Sequence, residues 1–226
     1  PYRQAIGSLM YLMICTRPDL AYCIGKLSQY CESPTVAHWN AVKRVLRYIK
    51  GTQTLGIMFG RSDSPVPLGY CDSDWAGCKQ SRKSTEGYVF LLSGGAVSWR
   101  SKKQSLVTMY SCEAEYVASS SAAKESIWLS SILSSMLDNE YSPISVSVDN
   151  EGAISTAHNL AINNRNKHID IKYHFVRDAV ASNKLALKYV SSKDQLADTL
   201  TKPLPRVQFQ DLRARLGVQE NKVLTS

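Results

Sequence analysis

The chain has 226 residues, 44% of them hydrophobic, and a formal net charge of +8. That size and composition suit one large domain or two small ones with a buried core, and no repeat or low-complexity tract points to a fibrous or disordered chain. No apolar run approaches the roughly 18 residues of a membrane-spanning helix, so no membrane partner is expected.

The six cysteines show no C-x-x-C pairing and no zinc spacing with histidine, so reduced thiols and an intracellular setting are expected. A basic excess suits an anionic partner, and its distribution says more than its total. Seven Lys/Arg stand against two acids in residues 1–60, and six stand against Glu86 alone in residues 79–103. The chain opens at Pro1 without Met and reads as a piece of something longer.

The first sixty residues read as helical. A first helix covers Tyr2 to Ile14, and a second starts at Thr16-Arg17-Pro18-Asp19 and runs to Cys31. A third is capped by Thr35, carries Trp39, Val42, Val45, Leu46 and Ile49 on its apolar side, and ends at Gly51. Lys43, Arg44, Arg47 and Lys50 form a basic stripe on it, either a solvated face or a phosphate-facing one.

From Leu55 the pattern turns to strands. Leu55–Phe59 is short and apolar, and the polar loop Arg61–Pro67 places a domain boundary between residues 60 and 61. Strands follow over Pro67–Ser73, Gly87–Leu92 and Ala96–Trp99, the last two joined by the hairpin signal Ser93-Gly94-Gly95. A long helix over Ser111–Leu137 takes Ser111 as its cap. Then come a strand at Ile144–Val148, helices at Glu151–His158 and Lys167–Ser182, and a strand at Leu185–Val190. A short helix over Asp194–Leu200 halts before Pro203, and a final helix over Pro205–Leu216 ends at Gly217. This order predicts a mixed sheet covered by helices.

Four acids fall where these elements begin or end: Asp72, Glu115, Asp149 and Asp198. Carboxylates gathered from remote positions are the ligand set that a two-metal phosphodiester hydrolase needs. Each has a competitor. Ala118, Ser119 and Ala122 follow Glu115 by three, four and seven residues, a small-residue face that lets the helix approach a sheet. Glu113 lies about 200° away around the helix and reads as a first-turn acid favoured by the helix dipole. Asp149 follows an alternating strand, and capping the next helix fits it equally well. Asp194 is the better cap for its short helix, which leaves Asp198 without a capping role; a solvated acid is the alternative. Asp72 and Asp74 share one strand face, and parity cannot choose between them.

Several long segments in fixed order resemble the ribonuclease H domain of copia-type retrotransposon Pol polyproteins. They are YCDSDWAGCKQSRKSTEGYVFLLSGGAVSWRSKKQ, SCEAEYVASSSAAKESIWL, VDNEGAI, NKHIDIKYHFVRD and DQLADTLTKPL. The opening stretch, PYRQAIGSLMYLMICTRPDLAYCIGKLSQYCESPTVAHWNAVKRVLRYIKGT, resembles the end of the preceding reverse transcriptase. The resemblance implies a helical, thumb- or connection-like tail over residues 1–60 and a ribonuclease H domain over 61–226. The implied fold is α/β, a ribonuclease H-like five-stranded mixed sheet flanked by helices. The implied site is Asp72, Glu115, Asp149 and Asp198, and the choice of Asp72 over Asp74 rests on the resemblance alone.

Hydrolysis of the RNA strand of an RNA–DNA hybrid is the activity implied, with two Mg²⁺ ions roughly 4 Å apart and Mn²⁺ as a substitute. Asp72 would bridge the ions, Glu115 and Asp149 completing one and Asp198 the other. Arg82, Lys83, Lys102, Lys103, Lys43 and Arg47 are candidates for phosphate contacts, and His168 and His174 for proton transfer or product release, with partly exposed helix histidines as the plainer reading. The expected partners are the hybrid and the rest of the reverse transcriptase, in a cytoplasmic virus-like particle or the nucleus. VDNEGAI and YSCEAEY depart from the usual family pattern beside the acids, not at them. No adjacent Asp-Asp pair is present, which excludes the polymerase centre itself. The alternative is an inactive hybrid-binding or connection-type module.

Overall fold

The computed structural model describes residues 1–61, 66–138, 141–158 and 170–220. Helix α1 (Tyr2–Cys15), a single 3₁₀ turn at Pro18–Leu20, α2 (Ala21–Ser28) and α3 (Val36–Lys50) open the chain. Proline at the start of the 3₁₀ turn separates it from α1, so the expected second helix is a turn plus a shorter helix ending at Ser28. Thr35 caps α3 through a reciprocal pair: its hydroxyl accepts from the His38 amide, and its own amide donates to His38 Nδ1. Ile6, Leu9, Leu20, Ile24, Leu27 and Val42 bury together as the core of this helical segment. Each large aliphatic side chain buried there contributes about 1.5–3 kcal/mol.

The central sheet contains β2 (Leu68–Asp74), β3 (Thr85–Leu92), β4 (Gly95–Lys103), β5 (Ile144–Val148) and β6 (Leu185–Tyr189) in the order β4-β3-β2-β5-β6. The first three run antiparallel, and β5 and β6 add in parallel to β2. This is the ribonuclease H-like five-stranded mixed sheet. Strand alternation divides its side chains between two cores. On one face Phe90, Val146, Val148 and Leu185 pack with α4 (Ser111–Leu137), α5 (Glu151–His158) and α6 (Asp170–Ala181). On the other, Val89, Ala96 and Trp99 meet Ala21, Leu196, Leu200 and Leu212, from α2, α7 (Asp198–Thr201), α8 (Arg206–Arg215) and the turn before α7. The Trp99 indole donates to the Met13 carbonyl at 3.1 Å and fixes the N-terminal helices to the edge strand β4.

Three features differ from the expected elements. The short strand β1 (Leu55–Ile57) pairs antiparallel with β7 (Val218–Glu220), a strand that follows Gly217 and is too short to leave a period-2 pattern. Gly217 takes φ 85°, and a Cβ there would meet the Gly94 carbonyl at 2.8 Å, so the chain turns sharply out of α8. Ser111 does not cap α4; Tyr110 holds the cap position without a side-chain bond, and the Glu113 carboxylate accepts from the Met109 amide at 2.9 Å instead. The expected helix over Asp194–Leu200 begins only at Asp198. Gln195 turns inward to donate to the Cys71 carbonyl at 2.9 Å, and turns fill the preceding residues.

Gly87 pairs with Asp72 across β2 and β3. A Cβ at Gly87 would come within 2.7 Å of Leu200 Cβ and 2.9 Å of Thr201 Cγ2. The missing side chain is therefore what lets α7 lie against the sheet beside Asp72. Gly87→Ala is expected to destabilise the chain by about 1–3 kcal/mol through this overpacking, measured by urea unfolding.

Candidate metal centre

Asp72 lies in the second half of the central strand β2 and is 2% exposed. Glu115 sits in the first two turns of α4 on the face of small side chains, with Ala114, Ala118, Ser119 and Ala122 buried around it. Cys71 Sγ stands 3.6 Å from Ser119 Oγ, a closeness that larger residues on this face would prevent. Asp149 follows the end of β5, the strand parallel to β2. One carboxylate oxygen from each of Asp72, Glu115 and Asp149 falls within 4.8 Å of the others. Asp74 is outside this trio; it sits at the end of β2, and its carboxylate fills the space beside Gly77 in the following turn.

Asp198, at the start of α7, stands beside Asp72 on the face of the sheet opposite α4. Lys202, one turn further on, places Nζ 2.9 Å from Asp198 Oδ1 and 3.8 Å from Asp72 Oδ2. Thr201 Oγ1 donates a short hydrogen bond to Asp72 Oδ2. Ser192 Oγ donates to Asp149 Oδ2 at 2.9 Å, and the Ser73 amide donates to Glu115 Oε1 at 3.3 Å. The competing role for Asp149 is taken by its neighbour: Asn150 Oδ1 accepts from the Ala153 amide and caps α5.

Burial, then the charges of Asp72 and Asp149, push the Glu115 carboxyl well above the ordinary carboxylate range. Burial raises Asp72 too, against the opposing pull of Lys202 and Thr201. Asp198 is pushed up to about 7 by burial and by Asp72. Glu115 Oε2 is buried and has no hydrogen-bond partner. Crowded acids with an orphaned carboxylate oxygen fit a divalent cation, which would supply the missing partner and relieve the repulsion. The all-oxygen donor set suits a hard ion.

The remaining predicted residues lie further out. Arg82, at φ 53°, is exposed in the turn between β2 and β3, with Lys83 next to it. Lys102 and Lys103 end β4 opposite Glu86 and Thr85, and line a small cleft of about 230 Å³ with Lys124 and Lys172. Lys43 and Arg47 are exposed on α3. His174 lies on α6, and His168 falls outside the described residues. Lys202, Thr201 and Ser192 were missed in the sequence. Only Lys202 left a signal, its spacing of four from Asp198, which puts both on one side of a helix turn.

A ribonuclease H-like α/β domain with a buried carboxylate cluster at the ends of its central strands is the class that fold and site define. Over 221 residues, 98% of its length, the chain is 42% identical to the retrovirus-related Pol polyprotein from transposon TNT 1-94 of Nicotiana tabacum. Over 217 residues it is 44% identical to that from transposon RE2 of Arabidopsis thaliana. The chain belongs to the retrovirus-related Pol polyproteins of transposons, and it spans 16% and 15% of the length of these two relatives. A 129-residue stretch is also 54% identical to the secreted RxLR effector protein 161 of Plasmopara viticola, covering 57% of this chain and 91% of that one. Among solved structures, LC11-RNase H1 isolated from compost aligns over 61% of this chain and 94% of its own, at 16% identity and a TM-score of 0.46. No protein-family model matches the chain. Among the described residues, no helix is long and apolar enough to cross a membrane.

Proposed function

We propose that this chain is the ribonuclease H portion of a copia-type Pol polyprotein and hydrolyses the RNA strand of RNA–DNA hybrids. The observation that carries the reading is the convergence of Asp72, Glu115 and Asp149, with Glu115 Oε2 buried and unpartnered. Asp72, Glu115 and Asp149 would hold one Mg²⁺ and Asp72 and Asp198 a second, with Mn²⁺ as a substitute. Bound there, the ions would lower the pKa of an attacking water and neutralise charge developing on the phosphate.

The chain's own residues prepare that site. Thr201 and Ser192 fix the Asp72 and Asp149 carboxylates, and the Ser73 amide fixes Glu115, so the ligands need little reorganisation. Lys202 balances part of the negative charge on Asp72 and Asp198. Glu115 also serves as an acceptor for a 2′-hydroxyl, the group that separates RNA from DNA. Arg82, Lys83, Lys102, Lys103, Lys43 and Arg47 contact backbone phosphates, and His174 and His168 assist proton transfer or product release. The remainder of the reverse transcriptase, in the same polyprotein and in a cytoplasmic virus-like particle, delivers the hybrid.

The test is cleavage of a labelled hybrid in Mg²⁺ by the chain and by Asp149→Asn. RNA-strand cleavage by the first and its loss in the second is the expected result. Equal cleavage by both overturns the site, and cleavage by neither with hybrid binding retained favours a non-catalytic binding module.

A further inference from the structure

A groove of about 800 Å³ runs between the N-terminal helices and the catalytic layer, bounded by α2, α3, the turn after β2, and the chain from α7 to α8. Its walls combine aromatic faces with cations. Tyr22, Tyr30 and Phe209 are half-buried along it, and Lys26, Arg44 and Lys79 rise from its sides. Lys26 Nζ stands 5.9 Å from the Tyr22 ring centroid. Among the described residues the lining holds one carboxylate, that of Asp19, which is occupied by Arg17 at 2.9 and 2.8 Å and by the Tyr48 hydroxyl at 2.7 Å. Lys26, Arg44 and Lys79 form no ion pair with a described carboxylate, so these three cations are available to a ligand, although Asp74 stands near enough to Lys26 to feel its charge.

The groove also includes a residue that contacts the carboxylate cluster. Thr199 and Lys202 are among its lining residues, and Lys202 Nζ lies 2.9 Å from Asp198 Oδ1 and 3.8 Å from Asp72 Oδ2. Aromatic walls, three cations held in no ion pair, and a position beside the proposed phosphodiester-cleaving centre suit one ligand class, an unpaired strand whose bases stack while its phosphates meet the cations. We propose that this groove takes the single-stranded continuation of a nucleic acid whose hybrid portion lies at the carboxylates, an inference that rests on the hybrid-cleaving reading.

The test uses the full chain carrying Asp149→Asn, so that substrate persists. Binding is read by fluorescence polarisation with a blunt RNA–DNA hybrid, with the same hybrid bearing a single-stranded extension at either end, and with the free strand alone. One extension is expected to tighten binding about tenfold, the worth of one or two stacked bases, and the gain falls with added salt. Arg44→Glu, at an exposed position, and Tyr22→Ala should each cut that gain to about twofold or less and leave blunt-hybrid binding unchanged. No gain from either extension, or a gain that survives both substitutions, overturns the proposal and leaves the groove as a protein contact. A chain that fails to bind blunt hybrid fails the functional reading instead. The free strand then decides for the groove: binding lost in Arg44→Glu supports it, and no binding overturns it. Circular dichroism on each variant confirms the fold.

Discussion

Glu115→Gln is expected to lower Mg²⁺-dependent hybrid cleavage about a thousandfold while making the metal-free chain more stable. The loss corresponds to about 4 kcal/mol of transition-state stabilisation, the scale of a missing metal ligand. The gain has a separate cause. Glu115 is buried beside Asp72 and Asp149, with Oε2 unpartnered, so its charged form is unfavourable until a cation arrives. A Gln amide at that place removes the charge and donates to the neighbouring carboxylates, which is worth about 1–3 kcal/mol.

The pH dependence follows from the same cluster. Burial, and then like charge, raises Glu115 and Asp198 above their ordinary values of 4.5 and 3.8, Asp198 to about 7. Between those limits the folded chain holds protons that the unfolded chain has lost, so stability falls as pH rises. The stabilisation from these protons is complete below pH 4 and, for Asp198, gone above about 7. Thermal unfolding in EDTA should therefore give a lower midpoint at pH 8 than at pH 5. Glu115→Gln should flatten that difference, and Mg²⁺ or Mn²⁺ should raise the wild-type midpoint most at pH 8. A wild-type midpoint indifferent to both pH and metal contradicts this.

The second large effect is structural. Arg17, 4% exposed, makes a bidentate pair with Asp19 and also donates to the Thr52 carbonyl at 3.2 Å and hydroxyl at 3.0 Å. Tyr48 donates to Asp19 at 2.7 Å and accepts from Arg213 Nη1 at 3.0 Å. One buried ion pair thus ties the 3₁₀ turn, the end of α3 and α8 together. Arg17→Met leaves a buried, uncompensated carboxylate and should cost about 3–5 kcal/mol in urea unfolding. Adding Asp19→Asn to it should recover much of that loss, because the orphaned charge is then gone.

Legibility in the sequence varied with how local each signal was. The small-residue stripe after Glu115 indicated the helix face against the sheet without any tertiary information, and that face is buried. The cap of α3 was visible at Thr35, although its partner His38 was not, since His is an unusual reciprocal acceptor. Asp72 and Asp74 could not be separated by strand parity. The turn that folds Asp74 back toward Gly77 sets them apart in space, and it arises from backbone geometry beyond the strand. Asp149 and the cap of α5 were likewise ambiguous until Asn150 was seen to take the capping bond. Thr201 and Ser192 act on carboxylates 129 and 43 residues away, and Lys202 reaches Asp72 across 130, contacts that no window of sequence contains. β7 has three residues and exists because β1 is there to pair with it.

The central claim, that these carboxylates gather a divalent cation, is tested most directly by anomalous scattering from crystals of the chain soaked in Mn²⁺. The account predicts a Mn²⁺ peak within bonding distance of Asp72, Glu115 and Asp149 that disappears in Asp149→Asn. A chain saturated with Mn²⁺ whose peaks all lie away from these three side chains contradicts it.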